Sequence, residues 1–379
     1  MRSLDTAIAV CEQHHPGLID ALNGIPFAER ERPGSKVIDL FRAHDGAALL
    51  VPAALGGRDA DPLEAVRVMR AIGAHSPSLG AAATMHHFTV ATLLALDPEL
   101  TRLTDGQAAL MRRVAPERLL MASGWAEGRT EQNILNPSMT ATPVEGGFLV
   151  NGSKKPCSLS QSMDLLTIGV ALPGQDGVPE LAMALLPADS PGITRHPFWS
   201  SEIMGGAESD EVRLKDVFVD EGLFVRATAD DPDRFDDLQT AGFIWFELLI
   251  TAAYTGVASA LTARVLERGR GSVTDRSTLA LRTEAAIELT EGMARTIREG
   301  EISEATVAGT LVTRFAVQEL LVQSAALAVE LLGGMAFIGS PETAYLASAV
   351  RPLAFHPPSR SSTAEALVDF IAGGPLVMA

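Results

Sequence analysis

Apolar residues along the chain follow two periodicities, and the change from one to the other divides the chain in three. Up to about residue 118 they recur at helical spacing, as in Val37, Leu40 and Phe41 and again in Ala65, Val66, Val68, Met69 and Ile72. The run VPAALGG breaks these helices, because Pro52, Gly56 and Gly57 interrupt them. From about Leu120 to Val225 short β-like runs take over: MTATPV, GFLVNG, LLTIGVAL, LAMALLP and EVRLKDVFV. Turn signals at Gly146-Gly147, Asn151-Gly152 and PGQDG separate them, so this part is expected to be an all-β domain of hairpins. After the polar linker ATADDPDRFDD, long apolar stretches return at Leu238–Arg264, Glu284–Arg298 and Ala305–Leu332, the last closed by Gly333-Gly334. The expected division is a helical domain at 1–118, a β-domain at 119–226 and a helical bundle at 227–379. A β-domain between two helical ones leaves a cleft at their junction, a common place for a cofactor.

The stretch Leu238–Ala263 has the length of a membrane span. It carries Gln239, four Thr and Glu247 behind an acidic flank, so a buried helix of a bundle is expected instead. Composition narrows the partners. With 379 residues and a formal net charge of −17, the chain is expected to bind neither nucleic acid nor an anionic membrane, whose phosphates it would repel. Two cysteines, Cys11 and Cys157, are too few for a disulfide framework. The start, MRSLDTAIAVCEQHHPG, has no continuous apolar segment of a signal peptide, and the expected location is cytoplasmic.

Familiar catalytic motifs are missing. GRGSVT at Gly269–Thr274 lacks the third glycine of a dinucleotide turn, and there is no P-loop, nucleophile elbow or H-E-x-x-H. The pairs His14-His15 and His86-His87 are sequence neighbours, which point about 100° apart on a helix, so no metal site is expected from them.

Five segments in order resemble the acyl-CoA dehydrogenase superfamily of flavoproteins: LLVPAALGG, ATMHHFTVATLL, EGGFLVNGSKKPCSLSQSMDLLTIGVAL, MGGAESDEVRLKDVFV and AVELLGGMAFIG. The resemblance spans nearly the whole chain. It implies an N-terminal all-α domain, a middle β-barrel domain and a C-terminal four-helix bundle, associating as a homodimer or homotetramer. The implied cofactor is a flavin, FAD by family habit, with FMN or a reduced flavin as other forms. Ser158 stands where the family keeps a hydroxyl beside the flavin ring, and Ser123 or Trp125 stands at the opposing lip. Gly333 and Gly334 match the family's cofactor-side glycine pair. The plainer alternatives are a hydroxyl satisfied within a strand for Ser158 and a small buried hydrophobe for Cys157. Departures accompany the matches. SGWAEGRTEQN replaces the Thr-Glu-Pro-Gly type of loop, Glu330 replaces a common Gln, and ERGRGSVTDRS offers only Arg268, Arg270 or Arg276 for a pyrophosphate.

In the dehydrogenases a carboxylate removes the α-proton of an acyl thioester. Nine residues past Arg351 the usual base position holds Arg360, a guanidinium that can only donate. Other members place the base on the helix opening the last domain, where Glu247 lies one residue beyond the matching Phe246. The leading expectation is dehydrogenation of an acyl thioester on CoA or acyl carrier protein, with Glu247 as base and an electron acceptor downstream. Glu247 pairing with an arginine across the bundle is the structural alternative. Arg264, Arg268 and Arg270 would meet an acidic partner; a solvated helix end is the plain reading.

The superfamily's monooxygenase branch is the second expectation. It uses reduced flavin from a flavin reductase, together with oxygen, to hydroxylate nitrogen, sulfur or carbon, and needs no α-proton base. EQN at 131–133, His356 in FHPP, and His86 or His87 resemble that branch. Imidazoles can hold a proton near neutral pH, while turn and packing roles are the plain readings of the same histidines. A non-catalytic binding partner is the third.

Overall fold

The computed structural model describes residues 1–94, 100, 103–128, 137–174, 180–226, 237–300 and 302–377. Among these residues seven helices come first: α1 (Arg2–His14), α2 (Leu18–Asn23), α3 (Phe27–Arg30), α4 (Val37–Ala43), α5 (Pro62–His75), α6 (Pro77–Leu94) and α7 (Asp105–Arg113). Capping boxes start two of them. Asp61 and Glu64 exchange side-chain and backbone hydrogen bonds ahead of Pro62 at the head of α5, and Thr104 and Gln107 do the same for α7.

Eight strands follow: β1 (Met121–Gly124), β2 (Thr140–Val144), β3 (Gly147–Cys157), β4 (Leu165–Leu172), β5 (Glu180–Pro187), β6 (Ile193–His196), β7 (Asp210–Asp220) and β8 (Phe224–Arg226). They form one mixed sheet in the order β6-β7-β3-β2-β4-β5-β8, with β1 parallel to β4. The β2–β3 hairpin turns at Glu145-Gly146, with Gly146 at φ +79°. Asn151-Gly152 is not a turn. It lies inside β3 at a register shift against β7, where Gly152 takes φ +145°. A bulge and a turn call for the same backbone freedom, and only the long β3–β7 pairing tells them apart.

The remaining helices are α8 (Asp237–Arg268), α9 (Val273–Arg298), α10 (Glu304–Leu332), α11 (Gly334–Gly339), α12 (Pro341–Ala349) and α13 (Ala364–Ile371), with a 3-10 turn at Arg351–Phe355. The helices α8 and α10 are long and apolar enough to cross a membrane, but 94% of the most apolar stretch of α8 is buried in the protein. It packs on α5 nearly backbone to backbone. A Cβ added at Gly73 would lie 2.0 Å from the Ala253 carbonyl oxygen, and one at Gly256 would lie 2.1 Å from that of Arg70. This crossing sets the height and rotation of α8, and so which of its side chains reach the surface.

Candidate active site

Two helices are buried along nearly their whole length, and each opens at one spot. On α6 every residue is buried except Met85 and Phe88. Between Thr240 and Ala263 of α8 only Gly242 and Phe246, one turn apart, keep accessible surface. The two openings meet. The Phe88 and Phe246 rings pack edge to face with centroids 5.2 Å apart, and the His356 ring lies edge to face on Phe246 at 5.8 Å.

His356 caps the 3-10 turn Arg351–Phe355 and is half-buried. Its Nε2 lies 3.0 Å from the Tyr254 hydroxyl, which is itself 3.4 Å from the Met204 sulfur. A thioether can only accept, so the contact with Met204 uses the single hydroxyl hydrogen of Tyr254. With that hydrogen on the sulfur, His356 Nε2–H donates to the Tyr254 oxygen and Nδ1 is the acceptor of the ring, with no hydrogen bond to it among the described residues. Although the residue keeps some surface, its ring is enclosed by Phe246 and Tyr254. Lost hydration, followed by the nearby Arg314 charge, holds its pKa down to about 3. The imidazole is therefore neutral at physiological pH.

Glu247 does not face this opening. It is the neighbour of Phe246, and one residue on a helix turns a side chain by about 100°, here into the bundle. Both carboxylate oxygens accept from Arg314 Nη1, at 2.8 and 2.9 Å, and neither side chain has any exposure. Desolvation pushes the Glu247 carboxyl up to about 7, against the pull of Arg314. The expectation of a proton-abstracting base at Glu247 does not hold, since both of its oxygens are engaged by Arg314 and the side chain has no exposure. Arg314 carries the other lone charge in ATVAGTLVTRFAVQ, and that complementarity to Glu247 was the available signal for the pair. Arg360, at the usual base position, is exposed and 3.7 Å from Glu319.

His86 and His87 are fixed in packing. His86 donates from Nε2 to the Ala47 carbonyl oxygen and accepts from the Met121 amide at Nδ1, both at 3.0 Å, and burial holds its pKa down to about 4. Its tautomer is thus set and both nitrogens are used. His87 is buried against Phe41 and His86, and neither ring nitrogen has a partner among the described residues.

On the sheet side, β1 runs beside α6 and delivers buried Ser123 and half-buried Trp125, whose indole lies against Gly169 of β4. The half-buried Ser158 hydroxyl, just past β3, pairs with the Ser209 hydroxyl at 2.9 Å. The Cys157 thiol is buried and reaches the Ser123 carbonyl at 3.8 Å, as a small core residue does. These groups suit a flavin: hydroxyls for ring heteroatoms and a half-buried indole. Gly333 and Gly334 lie apart at the end of α10, where an added Cβ would meet nothing within 4 Å. Arg276 donates to the carbonyls of Gly269 and Gly271, Arg264 pairs with Glu342, and Arg268 and Arg270 are exposed. Residues 131–133 lie outside the described residues.

No protein-family model matches the chain. It is 61% identical, over 376 residues, to isobutylamine N-hydroxylase of Streptomyces viridifaciens, covering 99% of this chain and 100% of that one. The chain belongs to the flavin-dependent monooxygenase branch of the acyl-CoA dehydrogenase superfamily. FMN-bound TdsC of Paenibacillus sp. A11-2 superposes with a TM-score of 0.78 at 16% identity, over 100% of this chain and 99% of that one. XiaF from Streptomyces sp., in complex with FADH2 and glycerol, gives 0.78 at 18% identity, over 99% and 98%. This α+β protein is a flavin-dependent oxidoreductase of acyl-CoA dehydrogenase-like fold. The expectation of acyl-thioester dehydrogenation is overturned by the N-hydroxylase relative. The buried Glu247–Arg314 pair gives the physical reason, because among the described residues no free carboxylate stands at the opening to take an α-proton.

Proposed function

We propose that this monooxygenase N-hydroxylates a small primary alkyl amine at the opening lined by Met85, Phe88, Gly242, Phe246 and His356. The observation that carries the reading is the neutral His356, which stands on an aromatic wall with no anionic side chain among the described lining residues. Such a site suits an uncharged amine: the N–H donates to Nδ1, the nitrogen lone pair stays free to react, and the alkyl group rests on Phe88 and Phe246. An ammonium would meet no counter-charge there. The 61% identity to an isobutylamine N-hydroxylase supports the same substrate class.

When bound, reduced flavin supplies the two electrons that split oxygen, one atom entering the N–O bond and the other leaving as water. Ser123, Trp125 and Ser158 would hold the ring. FAD is the proposed form; Gly333 and Gly334 would help to hold its dinucleotide half, and a separate flavin reductase would supply it reduced. We further propose the division into an all-α domain at 1–118, a β-barrel domain at 119–226 and a four-helix bundle at 227–379, with the whole chain cytoplasmic. Self-association as a homodimer or homotetramer is supported by α10, of whose most apolar stretch only 39% is buried, and by exposed Met335, Ile338, Phe355 and Ile371. The test is direct. Purified protein with reduced flavin, air and isobutylamine should release N-isobutylhydroxylamine, and acyl-CoA substrates should leave bound flavin unbleached. Peroxide as the only product across a panel of short amines would refute the substrate class.

A further inference from the structure

Arg314 joins three elements, yet only one of its contacts is needed to neutralise Glu247. From α10, Nη1 reaches both oxygens of Glu247 on α8, while Nη2 donates to the carbonyls of Leu353 at 3.2 Å and His356 at 2.5 Å. Those carbonyls close the 3-10 turn Arg351–Phe355, where backbone acceptors have run out of partners within the turn. The chain continues with Pro357 and Pro358, which have no N–H to give, so the segment cannot anchor itself by donating backward. It depends on an outside donor, and a fully buried, planar guanidinium supplies one in fixed geometry.

We propose that Arg314 is a positioning residue for His356, anchored by Glu247. By gripping the carbonyl of His356 itself, it fixes where the imidazole stands against Phe246 and Tyr254, and hence where Nδ1 meets the amine. This rests on the reading of His356 as the group that faces substrate. The lone buried charges on α8 and α10 then have a role at the reaction without touching the reactants.

The test uses the full chain with flavin, a flavin reductase and isobutylamine. The variant Glu247→Leu/Arg314→Met removes both buried charges and leaves no unpaired ion, a replacement that folded proteins commonly tolerate. Two readouts decide. Backbone amides at Leu353, Ala354, Phe355 and Ser359–Ser362 should exchange at least about tenfold faster than in the wild type, with α8 and α10 unchanged. The share of consumed oxygen that appears as hydroxylamine rather than peroxide should fall to roughly a fifth or less, as a misplacement near 1 Å can cause. The substitution Arg314→Lys, which keeps the charge but loses the fork, should show the same two changes while Tm stays near that of the wild type. Wild-type exchange and wild-type coupling in either folded variant would overturn the proposal. His356→Ala separates the layers: unimpaired coupling there defeats the reading of His356, whereas impaired coupling there with normal Arg314 variants defeats the clamp alone.

Discussion

Met204, Tyr254 and His356 show how one thioether decides what an imidazole can do. With the Tyr254 hydrogen on the Met204 sulfur, His356 Nε2 is the donor of the pair and Nδ1 is the acceptor we propose for the amine. Met204→Leu removes that sulfur, so Tyr254 turns its hydrogen to Nε2 and the ring proton moves to Nδ1. KM for isobutylamine should then rise roughly five- to tenfold, the worth of about one hydrogen bond, with kcat changed less. Nitrogen chemical shifts of the ring would report the tautomer directly, and an unchanged shift would defeat the assignment. The same residue makes a pH prediction. With its pKa near 3, His356 contributes no inflection around 6.5. Instead kcat/KM should climb about tenfold per pH unit until it approaches the amine's own pKa, about 10 as for a lysine ammonium. A break near pH 6.5 would mean that the imidazole titrates in the working range.

At the scale of elements, the site depends on how α8 is rotated, and α5 sets that rotation at Gly73 and Gly256. Gly256→Ala puts a methyl group 2.1 Å from the Arg70 carbonyl oxygen, so the helices must part. A loss of about 1–3 kcal/mol in urea unfolding is expected, as for overpacked cores, together with weaker coupling of oxygen use to product. Wild-type stability would show that the crossing has slack. The same helix marks the boundary of what the sequence reveals. Helical spacing in LQTAGFIWFELLITAAYTG shows a buried helix, and the lone charge at Glu247 draws attention to it. Nothing in the spacing says that the accessible face falls on Phe246 and Gly242, because that depends on packing against α5 and α6. Segment texture read correctly for similar reasons. β4 and β5 are short apolar runs between turns, and α10 stops where Gly333 takes φ +81°. Asn151-Gly152 misled because a bulge and a turn use the same residues. The Tyr254–His356 contact joins residues 102 apart in sequence and left no local trace.

Across the whole molecule, burial of histidines ties stability to pH. Burial lowers the pKa of His15 and His86 to about 4 and that of His87 well below 6.5. The unfolded chain, with these groups near 6.5, binds more protons between those values, so stability is full above about pH 6.5 and falls as pH drops toward 4. His15 and His86 each account for a loss on the order of 3 kcal/mol at the acid end. Glu247, raised to about 7, acts the other way, gaining stability as pH falls from 7 toward 4.5, and offsets only part of the loss. Chemical denaturation from pH 8 to pH 4 should therefore show declining stability, and a flat profile would contradict it. The proposed self-association is tested at this scale too. Ile338→Asp, on an exposed apolar surface, should lower the mass seen by light scattering without changing the circular dichroism of the fold. The most direct test of the central claim follows the oxygen atom itself. Wild-type protein and reductase-supplied reduced flavin are given isobutylamine under isotopically heavy oxygen, and the product is weighed by mass spectrometry. One heavy oxygen atom on the amine nitrogen, lost with His356→Ala, is the result expected; product carrying oxygen from water, or none formed while peroxide accumulates, would contradict it.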